Sequence, residues 1–193
     1  MACGPGYIRM SFDQTNPEAQ RWARDRSARL VREVTADTRV AIRAVIEQAF
    51  SEGLPPREAA KLIRSTVGLT QRDALAVMRR QVKLMAEGMS ASRAQAAAEK
   101  YANKLHRARA LTIARTETMS ASNQGQQELW NQAIRARLLG RRSMKTWLVA
   151  DPCPICEPFE DETVRVDANF SIGHNPPAHP NCRCTIGIVE VRE

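Results

Sequence analysis

Five side chains able to bind a metal ion crowd the last fifth of the chain: Cys153 and Cys156 in DPCPIC, then His179, Cys182 and Cys184 in HPNCRC. Four of the five cysteines fall in this window, while Cys3 stands alone near the N-terminus. A C-x-x-C spacing lets two thiolates address one ion across a tight turn, and H-x-x-C with C-x-C offers the remaining ligands from a second turn. Mixed thiolate and imidazole ligands predict tetrahedral zinc, with Zn–S near about 2.3 Å and Zn–N near about 2.0–2.1 Å. Five candidates compete for four places. The preferred set is Cys153, Cys156 and His179 plus one of Cys182 and Cys184. With four good protein ligands and no evident general base beside them, the zinc is expected to be structural.

Other chemistries fit less well. A disulfide pair would suit a secreted protein, but MACGPGYIRMSFDQ holds no apolar stretch of the kind a signal peptide needs. A redox C-x-x-C would require a βαβ context that the flanking sequence does not provide. Pro152-Cys153-x-x-Cys156 matches half of the zinc deaminase motif. The other half, H-x-E, is missing, because His106 is followed by Arg107 and Ala108 and no other histidine precedes the cysteines. His174 reads as a loop residue.

Length and charge set wider bounds. A chain of 193 residues is long enough to bury a real core. No apolar run reaches membrane-spanning length, so no membrane association is expected. Residues 1–150 hold 26 Lys/Arg against 13 Asp/Glu, whereas residues 151–193 hold 3 against 8. The basic front suits nucleic acid or an acidic protein surface. Basic and acidic residues alternate there with little aromatic interleaving, which favours ordinary solvated helix faces over direct nucleic-acid binding.

The elements that must carry the ligands follow from periodicity. Residues 1–15 lack any and read as a loose, flexible arm. Asn16-Pro17-Glu18 has the composition of a helix start. Trp22, Leu30, Val34, Ala41, Val45 and Ala49 follow at helical spacing, widened by Ile42, Ile46 and Phe50, up to Gly53 and Pro55-Pro56. A shorter helix through Ala59, Leu62 and Ile63 closes at Gly68. Thr70 with Asp73 resembles a capping box for a third helix, which carries Leu75, Met78, Val82 and Met85 and stops at Gly88. Ser90 or Ser92 caps a proline-free stretch up to Leu139, whose positions Leu111, Ala114, Thr118, Ala121, Gly125, Leu129 and Ala133 keep a helical period. Such length predicts either a break near Lys104–Arg107 or an extended rod, with Gly140 just beyond its end.

Beyond Gly140 three strands are predicted, at 145–150, 162–166 and 185–191, with the two cysteine turns between them. The expected fold class is α+β. The arm at 1–15 leads into a helical domain at 16–140 with a long C-terminal helix, followed by a small β-rich zinc-binding knob at 141–193. So small a unit cannot bury enough apolar area alone, and a metal would supply the missing stability.

These residues meet a known pattern. Ile113-Ala-Arg-Thr-Glu-Thr118 followed by Ala121 and Asn123, Lys145-Thr-Trp147, Asp151-Pro-Cys-Pro-Ile-Cys156 with Phe159-Glu-Asp161, and Pro176-Pro-Ala-His-Pro-Asn-Cys-Arg-Cys184 resemble the Mu F-like minor head, or head morphogenesis, proteins of tailed bacteriophages. The resemblance is strongest over about residues 105–190. Many relatives read Leu-Asp-Gly where this chain has Phe159-Glu160-Asp161. The resemblance implies a structural, non-enzymatic protein of the virion that binds the phage portal protein inside the capsid during procapsid assembly. It implies an association with DNA packaging or delivery. The major capsid protein, the scaffolding protein and packaged DNA are further candidate partners. Some relatives carry a toxin domain after this module, and none is expected after the third strand here.

Arg115, Thr116, Glu117 and Asn123 are expected to form a structural polar network against the strand unit. Residues two apart do not share a helix face, so Arg115 and Glu117 are poorly placed to act together on a ligand. The alternative function is a metal-dependent hydrolase acting on nucleic acid or peptide, for which Glu157, Glu160 and Asp161 would have to supply the base. A zinc-containing DNA-binding module would need a basic knob, and this one is net acidic.

Overall fold

The computed structural model of the chain describes residues 17, 20–21, 36–64, 67–150 and 153–189. The expectations for the arm at 1–15, for Asn16 and Glu18, for Trp22, Leu30 and Val34, and for the end of the last strand beyond Val189 lie outside the described residues.

Helix α1 spans Ala36–Ser51 and buries Ile42, Ile46, Ala49 and Phe50, the i, i+4, i+7, i+8 stripe of an amphipathic helix. Gly53 ends it at φ 65°, a conformation glycine adopts without a steric cost, and the Leu54 N–H returns to the Ala49 carbonyl at 2.7 Å. Helix α2, Pro56–Ile63, starts with proline in its first turn, where the missing N–H is harmless, and buries Ala59, Ala60 and Ile63. Helix α3, Gln71–Ala86, is capped as its sequence predicts: the Thr70 hydroxyl accepts from the Asp73 N–H at 3.1 Å. At its other end Gly88 adopts φ 89° while the Met89 N–H reaches the Leu84 carbonyl.

Helix α4 runs unbroken from Ala91 to Arg135, 45 residues or about 67 Å at 1.5 Å per residue. Of the two expectations for this stretch, the rod is what forms. Ser90 occupies the N-cap position without a side-chain bond to the backbone. The C-terminus differs from the sequence expectation, because Arg137 rather than Gly140 takes the left-handed conformation, with φ 61°. The Leu138 N–H then closes on the Ala133 carbonyl at 2.8 Å, and Leu139 turns inward, 6% exposed. Burial of Leu139 repays the strain of a non-glycine residue at that position.

The strands are β1 (Met144–Leu148), β2 (Thr163–Arg165) and β3 (Thr185–Val189), in the order β2-β1-β3 with both pairs antiparallel. The register sets Trp147 opposite Ile186. Trp147, Phe170, Val166 and Ile186 pack with Trp130, Ala133 and Leu139 from the end of α4 and with Cys156, Cys182 and Cys184. Phe170 meets Trp147 edge-on at 5.2 Å between ring centroids, and Phe159 lies tilted at the same distance. Residues 110–121 of the same helix serve a second core made with α1 and α2. One helix therefore belongs to both cores.

Candidate metal centre

Two turns build the cluster. In the first, the Cys153 carbonyl accepts from the N–H groups of Cys156 and Glu157, both at 2.9 Å, and a short 3-10 turn follows at Glu157–Phe159. The backbone thereby wraps so that both sulfurs share one side. Asp161 then adopts φ 57° and its N–H reaches the Trp147 carbonyl at 3.1 Å. Aspartate is among the few residues other than glycine that tolerate such a backbone. In the second turn the Cys182 N–H returns to the His179 carbonyl at 3.1 Å, with Asn181 at φ 67°.

The ligand atoms form two triangles that share Cys156: Cys153, Cys156 and His179 in one, Cys156, Cys182 and Cys184 in the other. His179 Nε2 lies 3.3 Å from the Cys153 sulfur and 3.1 Å from the Cys156 sulfur. The Cys156 and Cys182 sulfurs are 3.6 Å apart. A tetrahedral ion bound about 2.3 Å from sulfur and about 2.05 Å from nitrogen would separate its ligand atoms by about 3.6–3.8 Å. The Cys156–Cys182 separation agrees and the two N–S separations are shorter, so these donors are already gathered around a common point. His179 Nδ1 sits 2.8 Å from the Pro180 carbonyl and donates to it, which fixes the tautomer that leaves the Nε2 lone pair facing the sulfurs.

The electrostatics suit a cation. Burial pushes the Cys156 thiol far above its usual range, with neighbouring cysteine sulfurs adding to the effect. Burial likewise raises Cys184, although the Trp147 indole N–H faces its sulfur without closing a full hydrogen bond and pulls the other way. Cys153 is lowered, chiefly by the Cys156 N–H directed at it. The buried Cys156 and Cys184 thiols have no good anionic state of their own, and a bound divalent ion reverses that preference. All four clustered cysteines are unpaired with one another by disulfides, so a metal group is the chemistry these residues fit.

The long helix holds the second turn in place. Thr116 Oγ1 donates to the Thr112 carbonyl at 2.7 Å and accepts from the Asn181 N–H at 2.8 Å. Asn123, 1% exposed, donates to the carbonyls of Pro176 and Cys184, each at 3.1 Å, and accepts from the Thr185 hydroxyl and the Ile186 N–H. Glu117 is buried on the same helix. Arg115 is half-buried, and its side chain makes no hydrogen bond or ion pair with the described residues. The helix thus brings Thr116 and Asn123 to the cluster and leaves Arg115 outside it. His174 stays in its loop, with Nδ1 against the Asn175 carbonyl.

A second polar cluster has no counterpart among the residues expected from sequence. Lys145, 2% exposed, donates to Gln127 Oε1 at 2.8 Å and Asn175 Oδ1 at 2.9 Å, with its ammonium 5.0 Å from the centre of the Phe170 ring. Gln127 in turn donates to the Val166 carbonyl at 2.7 Å. Burial lowers the Lys145 pKa from its ordinary 10.5 to about 8, against a smaller opposing pull from Asp167. The folded protein therefore binds fewer protons than the unfolded chain between these values, and stability from this group rises with pH across about 8 to 10.5. That gap corresponds to about 3 kcal/mol. Denaturant titrations of the wild type and Lys145→Met at pH 7, 8.5 and 10 are expected to show the wild type gaining on the variant at each step. A pH-independent difference would mean that Lys145 titrates normally.

Residues 85–187, more than half of the chain, match the model of a family described as Phage Mu protein F like protein. The match takes in all of α4, both cysteine turns and most of the sheet. No curated protein matches the chain, and no solved structure matches it.

Proposed function

The chain belongs to the phage Mu protein F like family, and from that premise we propose that it is a minor head protein acting at the portal vertex. In this reading it binds the portal protein within the assembling capsid and assists procapsid assembly and the packaging or delivery of DNA. The observation that carries the reading is the family match itself, which spans the helix and the metal cluster together. A rod helix with sides to spare and a stapled terminal knob suit a scaffold-like part that holds other components in place. The protein is not read as an enzyme. Glu157, Glu160 and Asp161, the carboxylates just after the first cysteine turn, are all exposed, whereas Cys156, Cys182 and Cys184 are buried.

We further propose that the ion is zinc, held structurally by Cys153, Cys156, His179 and one of Cys182 and Cys184. Cys182 is the better fourth ligand. Its sulfur stands 3.6 Å from Cys156, while the Cys184 sulfur has the Trp147 indole as a neighbour suited to an outer position.

The test of the virion role is quantitative mass spectrometry of purified procapsids and mature virions. A fixed, low ratio of this chain to portal protein is expected in the procapsid. Absence from both particles would overturn the proposal, and hydrolase assays would be the next experiment.

A further inference from the structure

Helix α3 presents its apolar residues to solvent. Leu75, Met78, Val82 and Met85 are 38%, 55%, 61% and 47% exposed, while Val77 and Leu84 on another side of the helix are half-buried. The exposed set steps by three, four and three residues. That is the a/d pattern of a helix meant to lie along another helix, about 15 Å from Leu75 to Met85. Two of the four are methionines, which adapt readily to a partner's surface.

The margin of this stripe is basic. Arg72 and Arg79 are one heptad apart along one flank, and Lys83 follows on the same side. Arg72 and Lys83, themselves exposed, reach Asp73 and Glu87 only at 3.6 and 3.8 Å, in pairs that are weak and easily exchanged. Arg79 has no ion pair among the described residues. A second copy of this helix, laid antiparallel, would bring these arginines against their own equivalents. Residues 21–34 of the same chain carry five arginines against Asp25 and Glu33, so they too would add like charge. Charge complementarity selects a different occupant.

We propose that this face of α3 is a docking site for an amphipathic helix of another protein, one with apolar a/d positions and Asp or Glu beside them. The partner helix lies along α3 at the shallow crossing angle of coiled-coil packing, its carboxylates answering Arg72 and Arg79. This goes beyond the head-assembly reading and does not depend on it, since the helix face itself defines the partner.

The test uses the purified full chain and two designed 21-residue helical peptides with identical leucine a/d positions, one with glutamate and one with lysine at the flanking positions. Fluorescence anisotropy is expected to show binding of the glutamate peptide and at least tenfold weaker binding of the lysine peptide. Val82→Asp, a change at a 61% exposed position that leaves folding intact, is expected to weaken the glutamate peptide at least tenfold. Arg79→Glu is expected to weaken it several-fold and to erase the preference between the two peptides. Equal binding of both peptides, or binding indifferent to Val82→Asp, would overturn the proposal. So would a dimer in sedimentation that Val82→Asp dissolves, because the occupant would then be a second copy.

Discussion

Protein carrying Cys156→Ser is expected to emerge without stoichiometric metal and with residues 144–189 unfolded, while α1, α2 and the first half of α4 remain helical. Cys156 is the one ligand common to both triangles, so its removal breaks both, and the four donors that remain form no triangle of their own. Structural zinc in small units contributes on the order of 10 kcal/mol, more than a three-stranded sheet of five, three and five residues can replace. Elemental analysis should give about one zinc per wild-type chain and less than a tenth of that in the variant. Hydrogen exchange should show protection lost across the sheet and retained where α1 and α2 pack on α4. Single variants then divide the second turn: Cys182→Ser should lose the metal and Cys184→Ser should keep most of it. Full metal content in Cys156→Ser would refute the ligand set.

Asn123→Ala is expected to produce the next largest loss, without changing the ligands at all. The side chain makes four hydrogen bonds that join the helix to both ends of the 176–186 segment. Truncation strands two carbonyls and one N–H in a region only 1% open to solvent, at about 1–3 kcal/mol for each group left unpaired. Partial relaxation brings the expected total to about 3–4 kcal/mol, a fall in Tm of about 10 °C for a chain of this length. Asn123→Asp should be no better, because a carboxylate would face the Pro176 and Cys184 carbonyls with nothing to donate. A variant melting within about 2 °C of the wild type would show that water replaces these bonds.

The ligand cluster was legible because its chemistry is local. C-x-x-C and H-x-x-C-x-C specify turns whatever surrounds them, and the strands between them alternate plainly. Capping at Thr70 was legible for the same reason, since the hydroxyl and the N–H it accepts from are three residues apart. The Lys145 cluster was less visible, although one signal existed. In a strand Lys145 shares a face with Trp147, two residues on, and a face that buries tryptophan buries its neighbour as well. Its partners Gln127 and Asn175 are distant in sequence, so only the tertiary fold names them. The end of α4 was misplaced because glycine is the usual residue past a helix, and inward packing of Leu139 outweighed that preference at Arg137. The outward stripe on α3 has the same periodicity as a buried one. Periodicity identifies a face without saying what it meets.

Helix α4 also fixes an angular relation. Its turns around 110–121 belong to one core and those around 130–133 to the other, with no interruption in the hydrogen-bonded ladder between them. Inserting one residue between Ala121 and Trp130 would rotate everything beyond it by about 100° and advance it by about 1.5 Å. Inserting seven would restore the azimuth to within about 20° while moving the knob about 10 Å further along the axis. The rod is therefore a phase gauge as well as a spacer. Proteins built on it can tolerate changes of length only in steps that keep the two ends facing the same way.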